Sequence, residues 1–188
     1  MKKLVIAIVS FFVFCGIGAQ NKELNIGDKA PVFSAKADNG KVWKSKKYIG
    51  KKNIVVYFYP AAMTGGCTKQ ACAYRDDEEN LNTADAIVIG ISGDEVENLE
   101  LFKKANQLNF SLLSDIDGAI AQSFGVPIKQ GEKTIQREFE GVQFDLTRNL
   151  TTARWTFVID KKGKIVYKST QVNAAADSEE VLKVLNSL

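Results

Sequence analysis

Histidine is absent from the 188 residues, which removes Ser-His-Asp and Cys-His nucleophile pairs, imidazole general bases and imidazole metal ligands from consideration. Cysteine is almost as scarce, with three in the chain. Cys15 lies in an N-terminal apolar run, and Cys67 and Cys72 stand five positions apart. Two thiols alone make a poor zinc site, because zinc prefers four sulfur or nitrogen ligands. Neither a metal nor an organic cofactor is expected. Charge of one sign is also lacking: 25 basic residues face 22 acidic ones, a balance that gives no reason to expect nucleic acid or an anionic membrane as partner. Internal repeats, low-complexity tracts and linkers are missing as well.

One long apolar run is present, and it opens the chain. Lys2 and Lys3 precede Leu4 to Phe14, and the small residues Gly16, Gly18 and Ala19 follow before polar Gln20 and Asn21. This is the order of a secretory signal peptide, and the run ends too soon for the roughly 20 apolar residues of a membrane-spanning helix. Residues 1–19 are expected to leave by cleavage near Ala19-Gln20. The remaining 20–188 have the size of one domain with a sizeable core. Bulky Phe14 before Cys15 argues against a lipid anchor, so no stable membrane association is expected after cleavage. Loss of the two lysines brings the net charge to about +1. Localisation is expected to be periplasmic or extracellular, where disulfides persist.

The elements alternate. Asn53 to Tyr59 is a β-rich apolar run between lysines and Pro60, hence a buried central strand. Ala86 to Ile91 repeats the pattern and leads into a helix marked by Val96, Leu99, Phe102, Ala105 and Leu108. A short strand at Phe110 to Leu113, a short helix at Gly118 to Phe124 and a hairpin of Trp155 to Ile159 with Ile165 to Tyr167 follow. A final helix begins with Asp177 and Glu180 in a capping-box-like spacing. Asn39-Gly40 reads as the turn of a small N-terminal hairpin, and the polar stretch 128–153 as a long excursion over the site. The class is α/β with a mixed central sheet flanked by helices. Asp76 to Glu79 and the lysines of 44–52 read as solvated surface, and Tyr57-Phe58-Tyr59 as core with one ring at a pocket.

Between strand and helix lies Pro60-Ala61-Ala62-Met63-Thr64-Gly65-Gly66-Cys67-Thr68-Lys69-Gln70-Ala71-Cys72. Thr64, Gly65 and Gly66 suit a turn into a helix that Tyr74, Glu78 and Leu81 continue, which puts Cys67 in the first turn. Unpaired amides and the positive end of the helix dipole there favour thiolate over thiol. On one regular helix a five-residue offset separates the two Cα atoms by roughly 8.6 Å, beyond the about 7 Å that a disulfide tolerates. A static staple, the ordinary use of two cysteines in an exported chain, would need the first turns unwound. A redox pair alternating between folded dithiol and locally unwound disulfide fits the spacing better. Thiol-disulfide exchange on protein substrates is the alternative chemistry, although that class works through Cys-x-x-Cys.

Pro60, Thr64 and Cys67 form the Pro-x-x-x-Thr-x-x-Cys signature, and with Val55-Val56-Tyr57-Phe58-Tyr59 before it and Cys72 after it the segment resembles the peroxiredoxins of the bacterioferritin-comigratory-protein, or PrxQ, branch. The likeness runs from about Ile26 to the C-terminus. It implies a thioredoxin-like fold and thiol-dependent reduction of hydrogen and alkyl hydroperoxides. By the resemblance Cys67 is the peroxidatic and Cys72 the resolving cysteine, with an intramolecular disulfide between them. Thr64 bonds thiolate and peroxide, Pro60 shields the pocket, and Arg154 stabilises the thiolate and the charge that develops as O–O breaks. The implied partners are a peroxide substrate and a thioredoxin-like or other thiol reductant, with the chain a monomer. Two positions depart from the branch: Gly65 replaces a proline, and Gln70 a glutamate that orients an arginine.

Overall fold

The computed structural model describes residues 23–188; the expected leader and its cleavage point lie outside them. The fold is built outward from β3 (Asn53–Phe58), all six residues of which are buried. Its side chains alternate between two cores, with Ile54, Val56 and Phe58 in one and Val55, Tyr57 and, just beyond the strand, Tyr59 in the other. A strand covered on both faces has no use for polar alternation, which is why its sequence reads as a continuous apolar run.

Around it stand β1 (Ser34–Ala37), β2 (Val42–Lys44), β4 (Ala86–Ser92), β5 (Ser111–Ser114), β8 (Trp155–Ile159) and β9 (Ile165–Ser169). The sheet order is β2-β1-β5-β4-β3-β8-β9. β3, β4 and β5 run parallel, and the flanking pairs run antiparallel, so the expected mixed sheet is found. Gly40, in the left-handed region at φ 73°, turns β1 into β2, as Asn39-Gly40 predicts.

On the Tyr57 face lie α1 (Gly65–Asp76), α3 (Val96–Asn106) and α5 (Asp177–Leu185), which contribute Cys67, Ala71 and Tyr74, Leu99 and Phe102, and Val181, Leu182 and Leu185 to one core. α4 (Ala119–Ser123) covers the opposite face with Ile120 and Ala121. The helix that starts before Cys67 does not run unbroken to Leu81. It ends at Asp76, Asp77 caps it, and α2 (Glu78–Thr83) resumes.

Residues 128–153, expected as a long excursion over the site, form a two-stranded ribbon of β6 (Ile128–Phe139) and β7 (Val142–Thr152). Glu140 and Gly141 make its two-residue turn at φ 52° and 77°, the geometry that matches strand twist. Its base is clamped to the sheet. Thr152 Oγ1 donates to the Tyr59 carbonyl at 2.9 Å, and a Cβ on Gly93 would lie 2.6 Å from the Leu150 carbonyl oxygen, so only glycine lets the backbones meet there. No described helix is long and apolar enough to cross a membrane.

Candidate active site

Pro60 has no amide hydrogen for the ladder, and the chain leaves the sheet after the Tyr59 amide bonds to the Ile91 carbonyl at 3.0 Å. The next four residues form a loop held from two directions. Asp94, buried at the end of β4, accepts the Ala62 amide through Oδ2 at 2.8 Å. Arg137 of β6 donates from Nε to the Met63 carbonyl at 2.6 Å. Met63 itself sits in the left-handed region at φ 57°, a conformation that costs a non-glycine residue about 1–2 kcal/mol and persists because neighbours fix it.

Thr64 caps α1 in an extended conformation. Its hydroxyl donates to the Ala61 carbonyl at 2.8 Å, which commits the proton and leaves the oxygen as an acceptor. Cys67 is in the first turn, as expected, and is buried at 1% exposure. Cys72 is half-buried further along the same helix, and both are free thiols. The helical register keeps them apart. Arg75, three residues beyond Cys72, has its cationic form favoured first by Asp76 and also by Cys72.

Arg154, just before β8, reaches two residues of α1. One terminal nitrogen donates to Cys67 Sγ at 3.2 Å, and the other to Gln70 Oε1. Gln70 thus takes up the arginine-orienting task through its amide oxygen. The negative charge stands one step further back, on a residue that sequence reading assigned to a helix cap. Asp177 is buried, and its Oδ2 accepts from Gln70 Nε2 at 2.7 Å, Tyr74 hydroxyl at 2.7 Å and Thr156 hydroxyl at 2.8 Å. It makes no side-chain cap on α5, whose cap position is Ala176. Burial pushes its carboxyl above the usual range, opposed by the bonds from Tyr74, Gln70 and Thr156.

Beneath the cysteine helix, Tyr57 stacks on Tyr74 with ring centroids 5.1 Å apart and tilts against Tyr59 at 5.5 Å. All three rings are fully buried. Burial first, then nearby negative charge, raises their phenols well above the ordinary value, and they stay neutral. Among the described residues no cluster of acidic and cysteine side chains could hold a metal ion.

The arrangement presents a sulfur nucleophile to a fixed guanidinium at a helix start, with a second thiol on the same helix. The AhpC/TSA family model matches residues 26–168. Peroxiredoxin Bcp of Bacillus subtilis is 36% identical over 165 residues, covering 88% of this chain and 97% of that protein. Chloroplastic peroxiredoxin Q of Populus jackii is 40% identical over 168 residues, covering 88% and 70%. The crystal structure of peroxidoxin BcpB from Mycobacterium tuberculosis is similar with a TM-score of 0.74 at 29% identity, over 88% of this chain and 99% of that one. With the thioredoxin-like fold that these neighbours share, the chain belongs to the AhpC/TSA family, in the Bcp/PrxQ branch of the peroxiredoxins, and is a thiol peroxidase.

Proposed function

We propose that the protein is an exported peroxidase that reduces hydrogen peroxide and alkyl hydroperoxides through a sulfenic acid on Cys67 and an intramolecular disulfide with Cys72. The observation that carries this reading is the Arg154 contact to Cys67 Sγ at 3.2 Å. A guanidinium is always ionised and forms charge-assisted bonds, and here it faces the sulfur that would react.

The thiolate attacks the terminal peroxide oxygen. The S–O bond forms, the O–O bond breaks, and the departing alkoxide or hydroxide takes a proton to leave as alcohol or water. Arg154 faces the charge that develops, and the acceptor oxygen of Thr64 suits a peroxide hydroxyl as donor. Pro60, half-buried at the loop start, offers no competing amide and restricts water. Cys72 sulfur then attacks Cys67 sulfur, the S–S bond forms, and the sulfenic hydroxyl leaves with the Cys72 proton as water. Exchange with a thioredoxin-like dithiol restores both thiols and leaves the donor oxidised.

Cys67→Ser is expected to abolish peroxide consumption in the presence of a dithiol; unchanged turnover would overturn the assignment. Cys72→Ser is expected to consume one equivalent and accumulate sulfenic acid, seen by mass spectrometry with thiol trapping. Export predicts a mature N-terminus at Gln20, which sequencing of the secreted protein reads directly. A monomer is the expected state in sedimentation.

A further inference from the structure

Asp177 stands 105 residues beyond Cys72 in sequence and on a different helix, yet two of its three donors, Gln70 and Tyr74, belong to α1 and bracket Cys72. The third, Thr156 on β8, is two residues from Arg154. One buried oxygen therefore ties together the helix that carries both thiols and the strand that follows the arginine.

The donor inventory dictates how this chain of contacts runs. A guanidinium has only donors, and an ionised carboxylate only acceptors. An amide between them satisfies both when its oxygen faces Arg154 and its NH2 faces Asp177, which is the arrangement seen. Glutamate at position 70 could accept from Arg154 equally well. Its other oxygen would then meet Asp177 Oδ2 with no proton between two buried carboxylates, an arrangement that like charge opposes. Gln70 and Asp177 are a matched set.

We propose that Asp177 is a positioning residue for Cys67, acting through Gln70 and Arg154, and that together with Tyr74 it latches the dithiol form of α1. This rests on the peroxidase reading above. In the dithiol state the fixed amide holds the guanidinium on the sulfur. Closing the disulfide requires α1 to unwind between Cys67 and Cys72, because the helical offset of roughly 8.6 Å exceeds bonding reach. Gln70 lies within that interval, so unwinding breaks its bonds to Asp177 and Arg154. Asp177 consequently speeds formation of the sulfenic acid and slows the closure that follows.

The test compares Asp177→Ala, Gln70→Glu and the double variant Gln70→Glu with Asp177→Asn, following the first peroxide equivalent and disulfide closure by rapid-mixing fluorescence of the native tryptophans. Asp177→Ala is expected to react with peroxide about tenfold more slowly and to close the disulfide faster; a general loss of structure would slow both steps. Gln70→Glu alone is expected to slow the first step about tenfold. The double variant returns it to within about threefold of wild type, since an amide nitrogen at the position that the three groups share can donate both to the new carboxylate and to the hydroxyl oxygen of Tyr74 or Thr156. A double variant no faster than Gln70→Glu, or a folded Asp177→Ala with wild-type rates, would overturn the proposal. Should Asp177→Ala fail to fold, the exchanged pair decides alone. Equilibration with a thiol–disulfide buffer needs no peroxide: Asp177→Ala is expected to shift about tenfold toward disulfide, about 30 mV. That shift would stand even if the wild type consumed no peroxide, which separates failure of this inference from failure of the peroxidase reading.

Discussion

Gly66 and Arg154 approach so closely that a Cβ on the glycine would lie 3.3 Å from the guanidinium nitrogen that donates to Cys67. Alanine is a better helix residue than glycine by about 1 kcal/mol, so Gly66→Ala is expected to raise the unfolding midpoint of the reduced protein or leave it unchanged. The methyl group nevertheless displaces the guanidinium by a few tenths of an ångström. Small misplacements of a reacting constellation are expensive, and reaction with the first peroxide equivalent is expected to slow about three- to tenfold. Equal or faster reaction in a folded variant would show that the arginine position tolerates the shift.

Arg154 uses two different nitrogens for two partners, Cys67 Sγ and Gln70 Oε1. Lysine brings the same charge as one compact ammonium on a flexible stem and cannot span both. Arg154→Lys is therefore expected to lose about a hundredfold in the first-equivalent rate, the order seen when one preorganised donor is removed from a developing charge. Retention of most of the rate would mean that charge alone matters here and that the fork geometry does not.

Gly65, where the branch resembled has proline, is the first residue of α1. Proline suits that position, since its missing amide hydrogen is unpaired in a helix in any case and its fixed φ fits the first turn. Thr64 before it is extended at φ −109° and ψ 148°, the conformation that a following proline demands, and nothing lies within 4 Å of a Cβ at Gly65. Gly65→Pro is expected to stabilise the reduced protein by about 0.4–1 kcal/mol, chiefly by restricting the unfolded chain. Urea titration of the reduced protein measures it. The same substitution is expected to slow disulfide closure, because the first turn must then unwind against a stiffer start.

The central strand and the helix start at Cys67 could be anticipated because each depends on local pattern or on a signature with fixed spacing, whereas Arg154 is reached only through the family resemblance. The β6–β7 ribbon was hidden for a physical reason. Its inward positions on β7 are Phe144, Leu146, Arg148, Leu150 and Thr152, a clean alternation except that an arginine occupies the middle. Arg148 is buried because it faces Asp94, a long-range relation that no local window contains. Asp177 escapes a local reading for the same reason. At a helix start between alanines and glutamates it resembles a cap, and only the tertiary fold turns it inward to Gln70, Tyr74 and Thr156. The four-residue loop could not disclose that Arg137 supports it from a strand 74 positions away.

Asp94 supplies a pH signature. Its Oδ2 accepts from the Ala62 amide and the Ser92 hydroxyl, each at 2.8 Å. Its other oxygen faces Arg148 at 3.8 Å without a hydrogen bond, and the neutral Tyr59 phenol lies nearby. Burial raises its carboxyl above the ordinary value, opposed in turn by the bonds from Ala62 and Ser92 and by the Arg148 charge. The folded state thus holds the proton more tightly than the unfolded chain, whose aspartates titrate near about 3.9. The stabilisation linked to that proton is fully present below the unfolded value and is lost as pH rises through the folded one. Asp94→Asn is neutral at every pH and is therefore expected to remove this dependence. Wild-type minus variant stability, from urea titrations of the reduced proteins between pH 4 and pH 7, should therefore be largest at the acid end and shrink as pH rises. A constant difference across that range would mean that the Ala62 and Ser92 bonds and Arg148 offset the burial of Asp94 completely.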